Sequence, residues 1–89
     1  MSKIIVNTPK EEELKDIGID KWSPWSCEPS VFDWTYNANE TAYLFKGKVK
    51  VITPKEEVEI KAGDLVFFPN GLSCTWEVLE RVEKVYKFS

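Results

Sequence analysis

The chain has 89 residues, enough for one small globular unit, which at this size buries only about 60 % of the surface that its unfolded form exposes. Hydrophobic residues at 43 % and aromatics at 13 %, including four Trp, are too many for a disordered segment. Lys and Glu are interspersed around a net charge of −3. No basic stripe offers itself to nucleic acid, and no run nears the roughly 20 apolar residues of a membrane span.

Histidine is absent. That removes the commonest general base, the commonest metal ligand and the natural pH switch. Cys27 and Cys74 are the only cysteines. Met1–Lys10 lacks the basic and apolar regions of a secretory signal, so the expected compartment is the cytosol and the cysteines are expected as free thiols.

In chain order, Lys3-Ile4-Ile5-Val6 reads as a short β-branched strand. Thr8, followed by Pro9 and by Glu11 three residues on, reads as a capping box that opens a helix over Pro9–Ile17, which Gly18 stops. Trp22 to Pro29 is aromatic and Pro-containing, and reads as a loop or edge segment over one end of the core. From Val31 the chain is strand and turn. Val31–Tyr36 and Thr41–Lys46 come first, then a tight turn at Gly47. Lys48–Thr53 alternates Lys outward with Val49 and Val51 inward, and Glu57–Lys61 alternates again. Leu65–Phe68 is nearly all apolar, Pro69-Asn70-Gly71 turns, and Leu72–Leu79 and Val82–Phe88 close the chain. Strands at roughly 8–12-residue spacing predict an all-β sandwich or barrel. One domain is expected over 1–89, with a strand and helix in about 1–18 and a barrel in about 30–89.

Two stretches resemble the paired motifs of the cupin family. Glu40 and Gly47 are separated by six residues, as at the end of the first motif. Gly63, Pro69 and Gly71 take the spacings of the second, with Cys74 where that motif has histidine and Val78 where it often has asparagine. The resemblance implies a small jelly-roll β-barrel with one short N-terminal helix. It also implies a metal held by three histidines and a glutamate, of which only Glu40 stands here. The first motif's His-x-His falls on Trp34 and Tyr36 if counted three residues before Glu40, or on Asp33 and Thr35 if counted four. Within the family, Phe32-Asp33-Trp34, Asn39-Glu40-Thr41 and Gly71-x-x-Cys74-x-Trp76 resemble the short single-domain cupins related to (S)-ureidoglycine aminohydrolase, a manganese enzyme acting on a small ureido compound.

Strand alternation places Leu72, Cys74, Trp76 and Val78 on one face, and Glu40, Ala42 and Leu44 on one face. The expected site is an aromatic pocket with Glu40 and Cys74 as the catalytic candidates and Trp34, Tyr36 and Trp76 as ligand-binding residues. Against this stand plainer roles: core packing for the two Trp, an inert buried thiol for Cys74, a surface carboxylate for Glu40. The expected function is binding of a small molecule, with no cofactor and without a histidine-held metal. The alternatives are a divalent metal on an atypical Glu40/Cys74 set, with Asp33 as a third donor, and a non-catalytic interaction module. A homodimer is expected, since short cupins often pair.

Overall fold

The computed structural model describes residues 4–88; Lys3, the first residue of the expected N-terminal strand, lies outside them. Two antiparallel layers face each other across the core. β1 (Ile5–Asn7) pairs with β6 (Leu65–Phe68), and β6 with the first half of β4 (Glu40–Ile52). That half of β4 pairs in turn with the second half of β7 (Ser73–Phe88), which pairs with β2 (Ser23–Cys27). The other layer joins β5 (Glu57–Lys61), the second half of β4, the first half of β7 and β3 (Ser30–Thr35). β4 and β7 thus run unbroken from one layer into the other, which is how this jelly roll closes.

These long strands correct the sequence reading, which placed a turn at Gly47 and a break near Glu80. Both segments instead continue through a region where the β4–β7 register shifts between Leu44 and Val49. The inward set changes there from Glu40, Ala42 and Leu44 to Val49 and Val51, as an irregularity in a period-two ladder requires. Gly47 sits in that crossing with φ 98°, and a Cβ on it would lie 2.3 Å from the Arg81 carbonyl oxygen. Only glycine lets the two backbones approach this closely.

The helix is α1 (Glu11–Ile17), which starts two residues later than expected. Lys10 is the N-cap residue, and Glu13 Oε1 accepts from its N–H at 3.0 Å, one half of a capping box; the lysine side chain has no acceptor to supply the other half. Thr8 is otherwise engaged: its hydroxyl donates to Asp64 Oδ1 at 3.2 Å and ties the approach to the helix onto the β5–β6 turn. Gly18 ends the helix in the left-handed conformation, as read from sequence. The segment after Trp22 is an ordered edge strand, β2. Proline 24 fits it because an edge strand pairs on one side only, leaving a missing N–H tolerable.

Leu44, Val49, Val51, Ile60, Val66, Phe68 and Val82 are fully buried between the layers, each contributing roughly 1.5–3 kcal/mol. Outside, Lys48 and Lys50 face Glu59 and Glu57 across β4 and β5 at 3.8 and 3.2 Å, solvent-screened pairs that contribute little to stability. Among the described residues no helix is long and apolar enough to cross a membrane.

Candidate functional site

One end of the space between the layers is not filled. A cavity of about 220 Å³ opens there, between β2 and β3 on one side and the ends of β4 and β7 on the other. Its walls are rings. Phe32 stacks on Trp76 at 6.1 Å, Trp25 meets Trp76 edge-on at 5.9 Å, and Trp34 meets Tyr36 edge-on at 6.4 Å. Behind them Tyr36 stacks on the buried Phe68 at 4.7 Å. Trp34 and Phe88 line the mouth, 51 % and 59 % exposed.

The polar floor is a buried ion pair. Lys84 Nζ donates to Glu40 Oε2 at 2.9 Å, with both side chains almost wholly excluded from water. The register explains how they meet. Lys84 stands opposite Leu44 and Glu40 opposite Phe88. The residue between Glu40 and Leu44 on the inward face is Ala42, whose small side chain leaves room for both polar chains. The ammonium also lies 4.8, 5.0 and 5.4 Å from the ring centroids of Trp76, Trp25 and Tyr86, where ring quadrupoles stabilise a cation. Burial nevertheless holds Lys84 below the ordinary lysine range, with the Glu40 carboxylate opposing that shift. Trp76 Nε1 donates to the Tyr36 hydroxyl oxygen at 3.2 Å. Burial, with Glu40 and Cys74 adding to it, pushes the Tyr36 phenol well above its usual value.

Of the residues singled out from sequence, Glu40, Trp34, Tyr36 and Trp76 line this cavity. Asp33 and Thr35 point the other way, toward Thr75 and Ser73 at 2.8 and 3.1 Å, so the three-residue spacing is the one that faces inward. The expectation that Glu40 and Cys74 share one hollow is corrected. Cys74 is buried in the core but does not line the cavity, and its thiol donates to the Trp34 carbonyl oxygen at 3.7 Å. Desolvation pushes that thiol up from 9.0 to about 11, which keeps it protonated at neutral pH. Cys27, part-exposed, is the accessible thiol of the two. One thiol should therefore react with Ellman's reagent at pH 8 in native protein and two in 6 M guanidinium; rapid native labelling of Cys74 would contradict its placement.

Lys84 and Trp25 escaped the sequence reading. The signal for Lys84 is the parity of β7: Leu72, Cys74, Trp76, Val78, Val82 and Lys84 are all buried and all even-numbered. Reading the segment as two strands lost that continuity.

The donor set does not fit a cupin metal. The Glu40 carboxylate is engaged by an ammonium, Tyr36 and Cys74 both resist deprotonation, and Cys74 lies off the cavity. Among the described residues no three His, Cys, Asp or Glu side chains gather where an ion would be held.

Two facing layers joined by shared strands, with a pocket between them at one end, define a cupin. The chain belongs to the EutQ-like cupin domain family, whose pattern matches residues 14–86. It is similar over 98 % of its length, at 44 % identity and a TM-score of 0.95, to the crystal structure of a DUF861 family protein from Thermotoga maritima, all 100 % of which it covers. It is similar to the Clostridium difficile EutQ protein at 27 % identity and a TM-score of 0.66, over 71 % of this chain and 50 % of that one. It is 30 % identical over 57 residues to the acetate kinase EutQ of Clostridioides difficile (strain 630). That match takes in 64 % of this chain but 36 % of the relative, so the chain spans about a third of that protein's length.

Proposed function

We propose that this cupin binds a small organic molecule in the aromatic cavity, with the Glu40–Lys84 pair as the polar group that orients it. The observation that carries the reading is an open cavity between rings with a charged pair at its floor, where a purely structural barrel would be packed shut. At about 220 Å³ it falls below the roughly 300–1,000 Å³ of drug-sized sites, so the ligand is a small metabolite and not a nucleotide. The exposed rings of Trp34 and Phe88 gain most from being covered. Lys84 has donors beyond the one given to Glu40, and Glu40 keeps a second oxygen, so a polar head group can be met by donor and acceptor together.

The four indole N–H groups make the test direct. Trp25, Trp34 and Trp76 line the cavity and Trp22 does not, so Trp22 is an internal reference. Small neutral, anionic and cationic compounds should be titrated while the indole ¹H–¹⁵N signals are followed. Acetate belongs in the panel because of the curated relative's name, and urea because of the resemblance to the (S)-ureidoglycine aminohydrolases. Saturable shifts at Trp25, Trp34 and Trp76 with Trp22 unmoved are expected, weakened about tenfold by Trp34→Ala, the loss of roughly 1–1.5 kcal/mol of ring contact. If every compound leaves the cavity indoles unmoved at millimolar concentration, or moves Trp22 equally, the reading fails.

A further inference from the structure

Lys84 is the one cation that lines the cavity among the described residues, and its burial makes the amine form more accessible than it is for a lysine in water. A lysine kept only for stability would sit in water or at a rim, since a buried ion pair is commonly no better than packed hydrocarbon. Here the pair lies at the floor of an open aromatic chamber, with an acid–base group in direct hydrogen-bond contact with the nitrogen. Moving the proton along that 2.9 Å hydrogen bond converts ammonium and carboxylate into amine and carboxylic acid. Cation–π contact with three rings returns only part of the hydration that the ammonium loses on burial, so the charged form is less favoured here than in water.

We propose that Lys84 captures a small aldehyde or ketone as an imine in this cavity, with Glu40 carrying the protons. The proposal deepens the binding reading given above and rests on it. In the amine form, the Lys84 lone pair adds to the carbonyl carbon and forms the C–N bond. The carbonyl π pair moves to oxygen, which takes the proton from the Glu40 carboxyl. Glu40 then removes a proton from the new ammonium, leaving a neutral carbinolamine, and returns it to the hydroxyl. Water departs as the nitrogen lone pair forms the C=N bond. Ammonium–carboxylate plus carbonyl becomes iminium–carboxylate plus water, with charge and electrons balanced and no other reactant consumed.

The same geometry sets the substrate class. The iminium keeps the one positive charge beside Glu40, and the rest of the lining is aromatic. A carboxylate on the substrate would meet Glu40 with no second cation to offset it, so neutral carbonyl compounds are favoured over keto acids.

The experiment incubates the full chain at pH 7.5 with submillimolar benzaldehyde or propanal, and separately with pyruvate, then reduces with sodium cyanoborohydride and maps the modified peptides by mass. Lys84 should carry the benzaldehyde- or propanal-derived mass at least tenfold more than the exposed Lys55 and Lys61, and pyruvate should add little. Glu40→Gln should slow Lys84 labelling at least tenfold while surface lysines label as before. Lys84→Arg retains a cation for Glu40 and cannot form an imine; it should lose the preferential label. If that variant fails to fold, the wild-type peptide map alone decides. Labelling of Lys84 no greater than at the surface lysines overturns the proposal. Indole shifts at Trp25, Trp34 and Trp76 with benzaldehyde but no adduct would overturn imine capture and leave the binding reading standing. No adduct with these compounds, together with cavity indoles unmoved by them and by the whole panel above, would overturn both.

Discussion

Replacing Lys84 with Met should cost about 3–5 kcal/mol in urea unfolding, because the Glu40 carboxylate is then left buried among rings without a partner. Glu40→Leu should cost toward the lower end of that range, since the stranded ammonium keeps three aromatic faces. The double variant Glu40→Leu/Lys84→Met removes both charges at nearly constant volume. It should lie within about 1 kcal/mol of the parent, or above it, because no charge remains to be desolvated. The cycle therefore predicts a coupling of at least about 5 kcal/mol, the two single losses less the double one. In a small domain with a total stability of roughly 5–15 kcal/mol, either single change takes a large share. Additive single and double effects would show that the two groups do not depend on each other.

Gly47→Ala is the second large effect. The new methyl would meet the Arg81 carbonyl oxygen at 2.3 Å and Val82 Cα at 2.7 Å, both backbone atoms that cannot rotate away. The strands would have to separate at the point where they cross between layers, and a loss of more than about 3 kcal/mol is expected. Gly18→Ala is the control. It shares a positive φ, 71°, but a Cβ there meets nothing within 4 Å, so it should cost about 1 kcal/mol from backbone conformation alone. Thermal unfolding of the two variants side by side separates steric collision from dihedral preference; equal losses would mean that the crossing is looser than its geometry indicates.

Much of the fold could be read before any coordinates. Alternation in Lys48–Thr53 and Glu57–Lys61 assigned Val49, Val51 and Ile60 to the interior, where they lie. The spacing of Glu40 to Gly47 and of Gly63 to Gly71 identified the cupin. What could not be read was continuity. In β4 the register shift moves the buried set from even to odd positions, and a change of phase at a glycine looks like a turn. In β7 the phase never changes, but Glu80 and Arg81 interrupt its apolar character while the ladder runs on. The site suffered for the same reason. Val85 on one face and Tyr86 on the other make the end of β7 ambiguous by hydrophobicity, and a lysine is placed in water by default. Only the unbroken parity of β7 points Lys84 inward, and what makes that placement tolerable, Glu40 waiting across Ala42, is a tertiary fact. Alternation put Cys74 on one face with Trp76 and Val78, and all three are buried; a buried side chain is sealed into packing as easily as it opens on a void, and alternation does not distinguish the two.

The passage of β7 through both layers has a consequence for recognition. Trp76 and Lys84, wall and floor of the same chamber, hang from one strand, and Glu40 from the strand hydrogen-bonded to it. Their separation is held by ladder bonds and not by loops, so the chamber has its shape before anything enters. A guest that matches that shape immobilises little of its host and surrenders little entropy on arrival, whereas one slightly too large cannot induce a better fit without unzipping the sheet. For the binding proposed above, discrimination by size would therefore rest on the backbone itself.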